Sequence, residues 1–207
     1  ADKTVVYNKG AQGLDVPATL PEGVTGISFT YTDKDGNAVT APTNVGTYTG
    51  TVVFNLDSNY ILPTEGIPVT KTLTITGKPI DLNELVVTDK TVVYNKGAQG
   101  LDVPATLPEG VTGISFTYTD KDGKAVTAPT NVGVYTGTVV FDLDSNYILP
   151  ETGIPVTKTL TITGKVIDLN ELVVSDKTVV YNKEAQGLDV PATLPEGVTG
   201  ISFTYTD

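Results

Sequence analysis

The 207-residue chain contains no cysteine, histidine, methionine or tryptophan, and all 13 of its basic residues are lysines. Without histidine and cysteine it lacks the commonest general base, the thiol nucleophile and the usual zinc ligands. The absence of cysteine also excludes a disulfide framework. Only carboxylates, hydroxyls and lysine amines remain for chemistry. The sequence therefore predicts a protein that is not an enzyme, with no catalytic, cofactor-binding or metal-ligating residues and no cofactor.

Charge and hydropathy exclude two further classes of partner. The formal net charge is −11, and without arginine the chain lacks the planar side chain that binds phosphate in a bidentate manner. Nucleic acids and anionic membrane surfaces are therefore poor candidate partners. The sequence has no apolar run of about 18 residues, so membrane insertion is not expected.

The sequence is dominated by an internal repeat. The 31-residue sequence KTVVYNKGAQGLDVPATLPEGVTGISFTYTD begins at Lys3, Lys90 and Lys177, with one substitution, Glu184 in the third copy. The period is therefore 87 residues. A unit of this size can bury its own core, unlike repeats of about 20 to 45 residues, which depend on stacked neighbours. We expect each repeat to fold largely alone.

The proline-containing sequence at residues 77–79 is the best boundary signal. Residues 80–87 are either a linker or the first strand of the following repeat, and the strand is favoured. The predicted domains are then residues 1–77, a first repeat lacking its N-terminal strand; residues 78–164, a complete repeat; and residues 165–207, the N-terminal part of a third. On this interpretation, the 207 residues are a window onto a longer repetitive polymer.

Hydrophobic periodicity predicts an all-β protein with no substantial helix. Apolar and polar residues alternate most clearly around Ile27, Phe29 and Tyr31. An Asp35-Gly36 turn joins this strand to a short hairpin arm. The predicted strands of the first repeat are residues 3–7, 13–20, 26–32, 38–40, 47–55 and 69–76.

The four tyrosines of each repeat divide into two pairs. Tyr31 and Tyr48 share the strand face of neighbouring phenylalanines, which predicts core packing. Tyr7 and Tyr60 are free of that pattern. If both are exposed, they are the first place to look for contact with a glycan.

Residues 33–37, DKDGN, resemble the start of a calcium loop because alternate oxygens can converge on a hard cation. The acidic residue that closes an EF-hand loop is missing, since its place is taken by Asn44, and the second repeat has Lys124 in place of Asn37. A plain hairpin turn is the favoured interpretation.

Lys71 falls on the apolar face of its predicted strand. One interpretation is an internal isopeptide bond to Asn44 or Asn59 with Asp57 assisting. The alternative is a lysine whose stem packs on apolar surface while its amine reaches water, and this alternative is favoured.

The combination of DKTVVYN, LPEGVTG, FTYTDKDGNAVTAPTNVGTYTGTVVF, DSNY and TLTITGK resembles the MBG-type β-rich tandem repeats of Gram-positive bacterial cell-surface proteins. The resemblance covers each 87-residue period. It implies immunoglobulin-like β-sandwich modules in tandem, an extracellular location at the cell surface, and anchoring to the cell wall through a region outside this chain. It carries no catalytic residues.

Near-identical copies are explained by reach more readily than by an active site, which does not require duplication. We therefore expect a structural stalk or fibre segment of a surface adhesin, which projects a functional head or forms a surface filament. The expected partners are the neighbouring repeats of the same chain. The alternative is a multivalent module that binds host mucin, glycan or matrix protein weakly at each repeat. Lateral self-association is a further candidate.

Overall fold

The structure, a computed structural model, describes residues 1–206. The first repeat forms one five-stranded sheet in the order β1-β5-β4-β2-β3. Its strands are β1 (Lys3–Val6), β2 (Val24–Thr32), β3 (Ala38–Val39), β4 (Gly46–Leu56) and β5 (Thr70–Thr76).

Strand β4 lies at the centre of this sheet, antiparallel to β2 on one side and to β5 on the other. Strand β1 pairs with β5 in parallel, with Lys3 opposite Leu73 and Val6 opposite Thr76. The predicted hairpin is confirmed: β3 returns along β2 after a turn in which Gly36 has a φ of +83°. Five of the six predicted strands of the first repeat therefore exist, with small shifts at their ends.

The second repeat forms the same five-stranded sheet and adds a two-stranded one. The two short strands of the added sheet, β6 and β11, run parallel. The strands are β6 (Lys78–Pro79), β7 (Lys90–Val93), β8 (Val111–Thr119), β9 (Ala125–Val126), β10 (Gly133–Leu143), β11 (Tyr147–Ile148) and β12 (Thr157–Thr163).

The small sheet covers one end of the apolar face of the large sheet. Ile80 and Tyr147 are buried there with Val111, and they pack against Ile114 and Phe141. The two layers give a sandwich-like arrangement. The predicted fold class, all-β repeats built as sandwiches without substantial helix, is confirmed, since the only helical elements in residues 1–206 are single 3₁₀ turns at Leu82–Glu84 and Leu169–Glu171.

The remainder of each apolar face carries the main core of the repeat. In the first repeat this core consists of Leu14, Tyr48, Leu73 and Ile75. Equivalent residues form the core of the second repeat: Leu101, Tyr135, Leu160 and Ile162. The opposite face is rich in threonine, which suits a solvated β surface.

The strand predicted for residues 13–20 was wrong. These residues run as an irregular segment across the sheet, in which Leu14 is buried but Val16 is 54% exposed. The backbone N–H of Leu14 donates to the Tyr31 hydroxyl over 2.8 Å instead of joining a ladder. Pro17 has no N–H to donate, so it opposes strand pairing at this point.

The strand predicted for residues 80–87 was also wrong. The strand lies two residues earlier, as β6, and the chain then makes the 3₁₀ turn at Leu82–Glu84. The Asp81 carboxylate starts this turn by accepting a 2.9 Å hydrogen bond from the N–H of Asn83. Ile80 and Val87 are both buried, which explains the apolar pattern without a strand.

Residues 165–206 have no β-strand. Their apolar side chains are more exposed than the equivalent ones of the second repeat: Val180 is 88% exposed, against 55% for Val93. Sequences corresponding to β10 and β12 are absent from residues 165–207.

Candidate functional site: the junction between repeats

A tyrosine pair joins the first and second repeats. Tyr7, just after β1, packs edge to face on Tyr147 of β11, with ring centroids 5.5 Å apart and an interplanar angle of 74°. This is a favourable geometry for two aromatic rings. Tyr147 is only 8% exposed, whereas Tyr60, its equivalent in the first repeat, is 42% exposed.

The carboxylate of Glu109 gathers three donors at this contact. It forms ion pairs with Lys9 of the first repeat and with Lys78 of β6, at 3.0 Å for the second. The Tyr147 hydroxyl donates to Glu109 Oε1 over 2.7 Å. The Lys78 amine also lies 5.9 Å from the centre of the Tyr147 ring, within cation–π range. One carboxylate of the second repeat thus connects Lys9 of the first repeat with Lys78 and Tyr147 of the second.

These contacts change the acid–base properties of the group. Hydrogen bonds from Lys9, Tyr147 and Lys78 lower the pKa of Glu109 to about 2. The same hydrogen bond to Glu109, together with burial, raises the pKa of Tyr147 to about 12. Glu109 is therefore ionised and Tyr147 neutral throughout the physiological pH range.

A second set of contacts joins loops of the two repeats. The side chain of Asn146 accepts a 2.8 Å hydrogen bond from the N–H of Val45 through its Oδ1. Its Nδ2 lies 3.4 Å from Asn44 Oδ1. The carbonyl of Asn146 accepts from the N–H of Lys78 at 3.0 Å. Asn146 therefore ties a loop of the first repeat to the strand pair β6/β11.

Backbone geometry positions this site. Gly110 has a φ of +84°, and a Cβ at this residue would lie 2.2 Å from ring atoms of Tyr147, so the ring can lie flat on the chain only at a glycine. Lys9 has a φ of 69°, which is rare for a residue with a side chain and costs on the order of 1 kcal/mol. The strained residue is the one whose amine reaches across the junction, which is typical of functional positions.

The carboxylate contact recurs 87 residues further on. Glu196 pairs with Lys96 at 2.5 Å and with Lys165 at 2.7 Å. Hydrogen bonds from Lys165 and Lys96 lower the pKa of Glu196 to about 2 as well. A cavity of about 310 Å³ lies beside this second contact, lined by residues that include Tyr94, Val132, Ile167 and Gly197. These four are the equivalents of Tyr7, Val45, Ile80 and Gly110 at the first junction, where the Tyr147 ring packs.

Comparison with known families decides what these repeats are. The MBG domain family matches the chain twice, over residues 1–81 and over residues 84–165. The chain belongs to the MBG domain family. No curated protein matches it, and no solved structure does. The predicted resemblance is therefore confirmed, and each MBG repeat is a non-catalytic module of the kind found in surface proteins.

The tyrosines of the MBG repeats lie partly as predicted. Tyr31 and Tyr48 belong to the core, and the Tyr48 hydroxyl donates to the carbonyl of Asn44 over 2.8 Å. Tyr7 is half-buried and also packs against that core, and it contacts Tyr147, the equivalent of Tyr60, across the junction. At this junction the pair proposed for glycan contact holds two repeats together.

The DKDGN segment is a hairpin turn. Asp33 Oδ1 accepts hydrogen bonds from the N–H groups of Asp35 and Asn37, both at 2.9 Å. Hydrogen bonds from Asn37 are the main cause of the lowered pKa of Asp33. The equivalent Asp120 makes the same bonds although Lys124 replaces Asn37. The carboxylate is therefore engaged in shaping the turn, and within residues 1–206 no acidic cluster could hold a metal ion.

Lys71 and its proposed isopeptide partners are not brought together. Lys71 lies on β5 opposite Gly50, is exposed, and lines an apolar groove with Phe54 and Val69. Asn59 instead donates from its Nδ2 to Asp57 over 2.9 Å. This arrangement fits the lysine stem packed on apolar surface.

Sequence reasoning missed Lys9, Glu109 and Asn146, which build most of the junction. Glu109 and Asn146 lie 100 or more residues from their partners Lys9 and Val45, so no local pattern links them. The available signal was the pair of tyrosines outside the core pattern. No helix within the described part of the chain is long and apolar enough to cross a membrane.

Proposed function

We propose that this chain is a stalk or fibre segment of a bacterial cell-surface adhesin, located outside the cell, in which MBG repeats hold a functional head away from the surface or form a filament. The observation that carries the proposal is the junction. Its contacts use residues that recur with the repeat: Tyr7, Lys9 and Glu109 have counterparts in all three copies, and Lys78 and Tyr147 each have one counterpart.

Repeats joined by a flexible linker would lengthen the chain but would not hold its far end at a fixed distance from the surface. Here the interval between β5 and β6 is one residue, Gly77, and β6 already belongs to the sheet of the next repeat. The Tyr7–Tyr147 contact and the Asn146 hydrogen bonds act at separate points of the same interface. Two separated contacts resist bending in more than one direction, so each repeat adds length in a fixed direction.

The first test measures the stiffness of the junction. Spin labels on exposed positions of the first and second repeats, read by pulsed electron paramagnetic resonance, should give one narrow distance distribution. The double variant Tyr7→Ala, Glu109→Gln should broaden it. Glu22→Gln, the same change at the equivalent position of the first repeat, is the matched control and should leave it narrow. A broad distribution in the unmodified chain would contradict the stalk.

The second test separates reach from binding. The chain is presented to mucin, glycan arrays and host matrix proteins, and in parallel the number of MBG repeats is varied between a cell surface and an inert head domain. A stalk should bind none of these ligands and should change adhesion only through length. Saturable binding in proportion to the number of repeats would instead favour the multivalent binding module.

A further inference from the structure

We infer that the first and second repeats fold cooperatively, because the first repeat contributes a side chain to a core of the second. Tyr7 packs against the main core of its own repeat. It also packs against a small core in the second repeat, formed by Ile80, Val111 and Tyr147. One ring is thus shared by the cores of two repeats, so the stability of each repeat depends on the other.

The small sheet is the part of the second repeat that needs this support. Its strands, β6 and β11, contain two residues each. The N–H of Lys78 donates to the carbonyl of Asn146, and the N–H of Ile80 donates to the carbonyl of Ile148, both over 3.0 Å. A two-stranded sheet is marginally stable at best on its own. The small sheet therefore depends on what packs against it, and Tyr7 of the preceding repeat is part of that packing.

The contact between the two tyrosine rings sets the size of the effect. The ring of Tyr7 lies 5.5 Å from that of Tyr147, a residue of β11, in an edge-to-face arrangement. A ring pair of this kind changes an equilibrium constant by about two- to tenfold beyond the area that it buries. Loss of the Tyr7 ring, which removes both the pair and its share of the small core, should therefore raise the open fraction of the small sheet by about tenfold.

The fold of the first repeat places the ring of Tyr7. The N–H of Tyr7 donates to the carbonyl of Thr76 over 2.8 Å, which continues the pairing of β1 with β5. If the first repeat unfolds, this pairing is lost and the ring leaves the small core. Opening of the small sheet then frees residues 77–89, which connect β5 to β7. Unfolding of the first repeat therefore loosens the start of the second.

The dependence acts in both directions, because a coupling free energy has the same value from whichever side it is measured. The closed small sheet of the second repeat therefore stabilises the first repeat by the same factor. This inference goes beyond the stalk proposed above, which concerns the direction of the repeats and not their stability. It also differs from the expectation that each repeat folds largely alone, and amide hydrogen exchange distinguishes the two.

The first test measures hydrogen exchange of individual amides in the full chain by NMR. Tyr7→Ala should speed exchange at Lys78 and Ile80, which belong to the other repeat, by about tenfold. Val5→Ala is the matched control, because within residues 1–206 Val5 packs against the main core of the first repeat but not against the small core. It should leave both amides unchanged. Equal acceleration by the two variants, or none by Tyr7→Ala, would overturn the inference.

The second test runs in the opposite direction and leaves the sequence of the first repeat intact, so it remains decisive even if Tyr7→Ala unfolds that repeat. Ile80→Ala should open the small sheet and speed exchange of the β5 amides in the first repeat by about tenfold, as the reciprocal coupling requires. Val92→Ala is the control, because Val92 is the equivalent of Val5 and packs against the main core of the second repeat. It should leave β5 unchanged. Unchanged exchange in β5 after Ile80→Ala, or equal acceleration by Val92→Ala, would show that the repeats fold independently.

Discussion

Residues 90–120 and 177–207 have the same sequence except at one position, yet the first stretch contains strands and residues 177–206 of the second do not. Lys90–Val93 pairs in parallel with β12, and Val111–Thr119 pairs with β10. Residues 165–207 contain no sequence equivalent to β10 or β12. The difference therefore lies in the partners and not in the 31 residues themselves.

Local contacts survive where strands do not. The N–H of Leu188 donates to the Tyr205 hydroxyl over 2.8 Å, as Leu101 does to Tyr118. Lys177 pairs with Asp189 at 2.5 Å, as Lys90 does with Asp102. The comparison separates two levels of information. Turns and short-range hydrogen bonds are specified within the stretch, whereas strand pairing depends on residues outside it, 17 to 32 positions further along for β8 and 70 positions further along for β7.

The largest effect should come from supplying the missing partners. A chain extended at its C-terminus by a second copy of residues 121–164 should form strands at residues 177–180 and 198–206. Backbone amides there, measured by hydrogen exchange, should gain protection of at least about a thousandfold, because a domain of this size is stable by about 5 kcal/mol or more. A scrambled extension of equal composition is the control and should give no protection.

The second prediction weakens β12, the strand that pairs with residues 90–93 of the second repeat. Leu160 of β12 is fully buried, so Leu160→Ala should lower the free energy of unfolding of the second repeat by about 2 to 5 kcal/mol. Urea denaturation checks the value. Thr157→Ala, an exposed position of the same strand, should change it by less than about 0.5 kcal/mol. Equal effects of the two changes would show that β12 does not hold the core.

The third prediction concerns pH. The pKa of Glu109 is lowered from 4.5 to about 2, so its contribution to the junction is complete above about pH 4.5 and is lost as the pH falls towards 2. Contact between the first two repeats, followed by NMR at Tyr7 and Tyr147, should weaken over that interval. Glu109→Gln should show the weakened contact at neutral pH. A junction that loosens equally in the unmodified chain and in this variant would contradict the role of the carboxylate.

The smallest effect should come from removing the single sequence difference. Gly97→Glu makes residues 90–120 identical to residues 177–207. Gly97 has an ordinary φ, its N–H bonds Asn95 Oδ1 at 2.8 Å, and Glu184 makes the same bond to Asn182 at 3.0 Å. Stability should therefore change by less than about 0.5 kcal/mol, as measured by urea denaturation. Loss of strands in this variant would mean that sequence, not context, separates the two copies.

The division between local and distant information also explains which features were predictable. Alternation around Phe29, the Asp35-Gly36 turn and the core positions of Tyr31 and Tyr48 are local patterns, and the structure has them. The segment at residues 13–20 has the period of a strand but lies over the sheet, because Tyr31 and not a ladder satisfies Leu14. Hydrophobic periodicity does not distinguish a strand within the sheet from an irregular segment lying over it.

The junction between the repeats could not be predicted from sequence patterns, for a different reason. Lys9 and Glu109 come together only after two repeats fold and β6 joins the second. Sequence alone could indicate that Tyr7 and Tyr60 do not share the strand pattern of Tyr31 and Tyr48, but not that Tyr7 of one repeat meets Tyr147 of the next. The information needed was the relative placement of two folded units, which depends on every contact of the interface at once.

The parallel pairing of β7 with β12 has a mechanical consequence. These strands are near the start and the end of the second repeat, and they run in the same direction side by side, from Lys90 opposite Leu160 to Val93 opposite Thr163. Tension applied to the two ends of a repeat therefore slides one strand along the other and loads their hydrogen bonds simultaneously. Antiparallel terminal strands would instead peel apart one bond at a time. A repeat pulled at its two ends would therefore be loaded in shear.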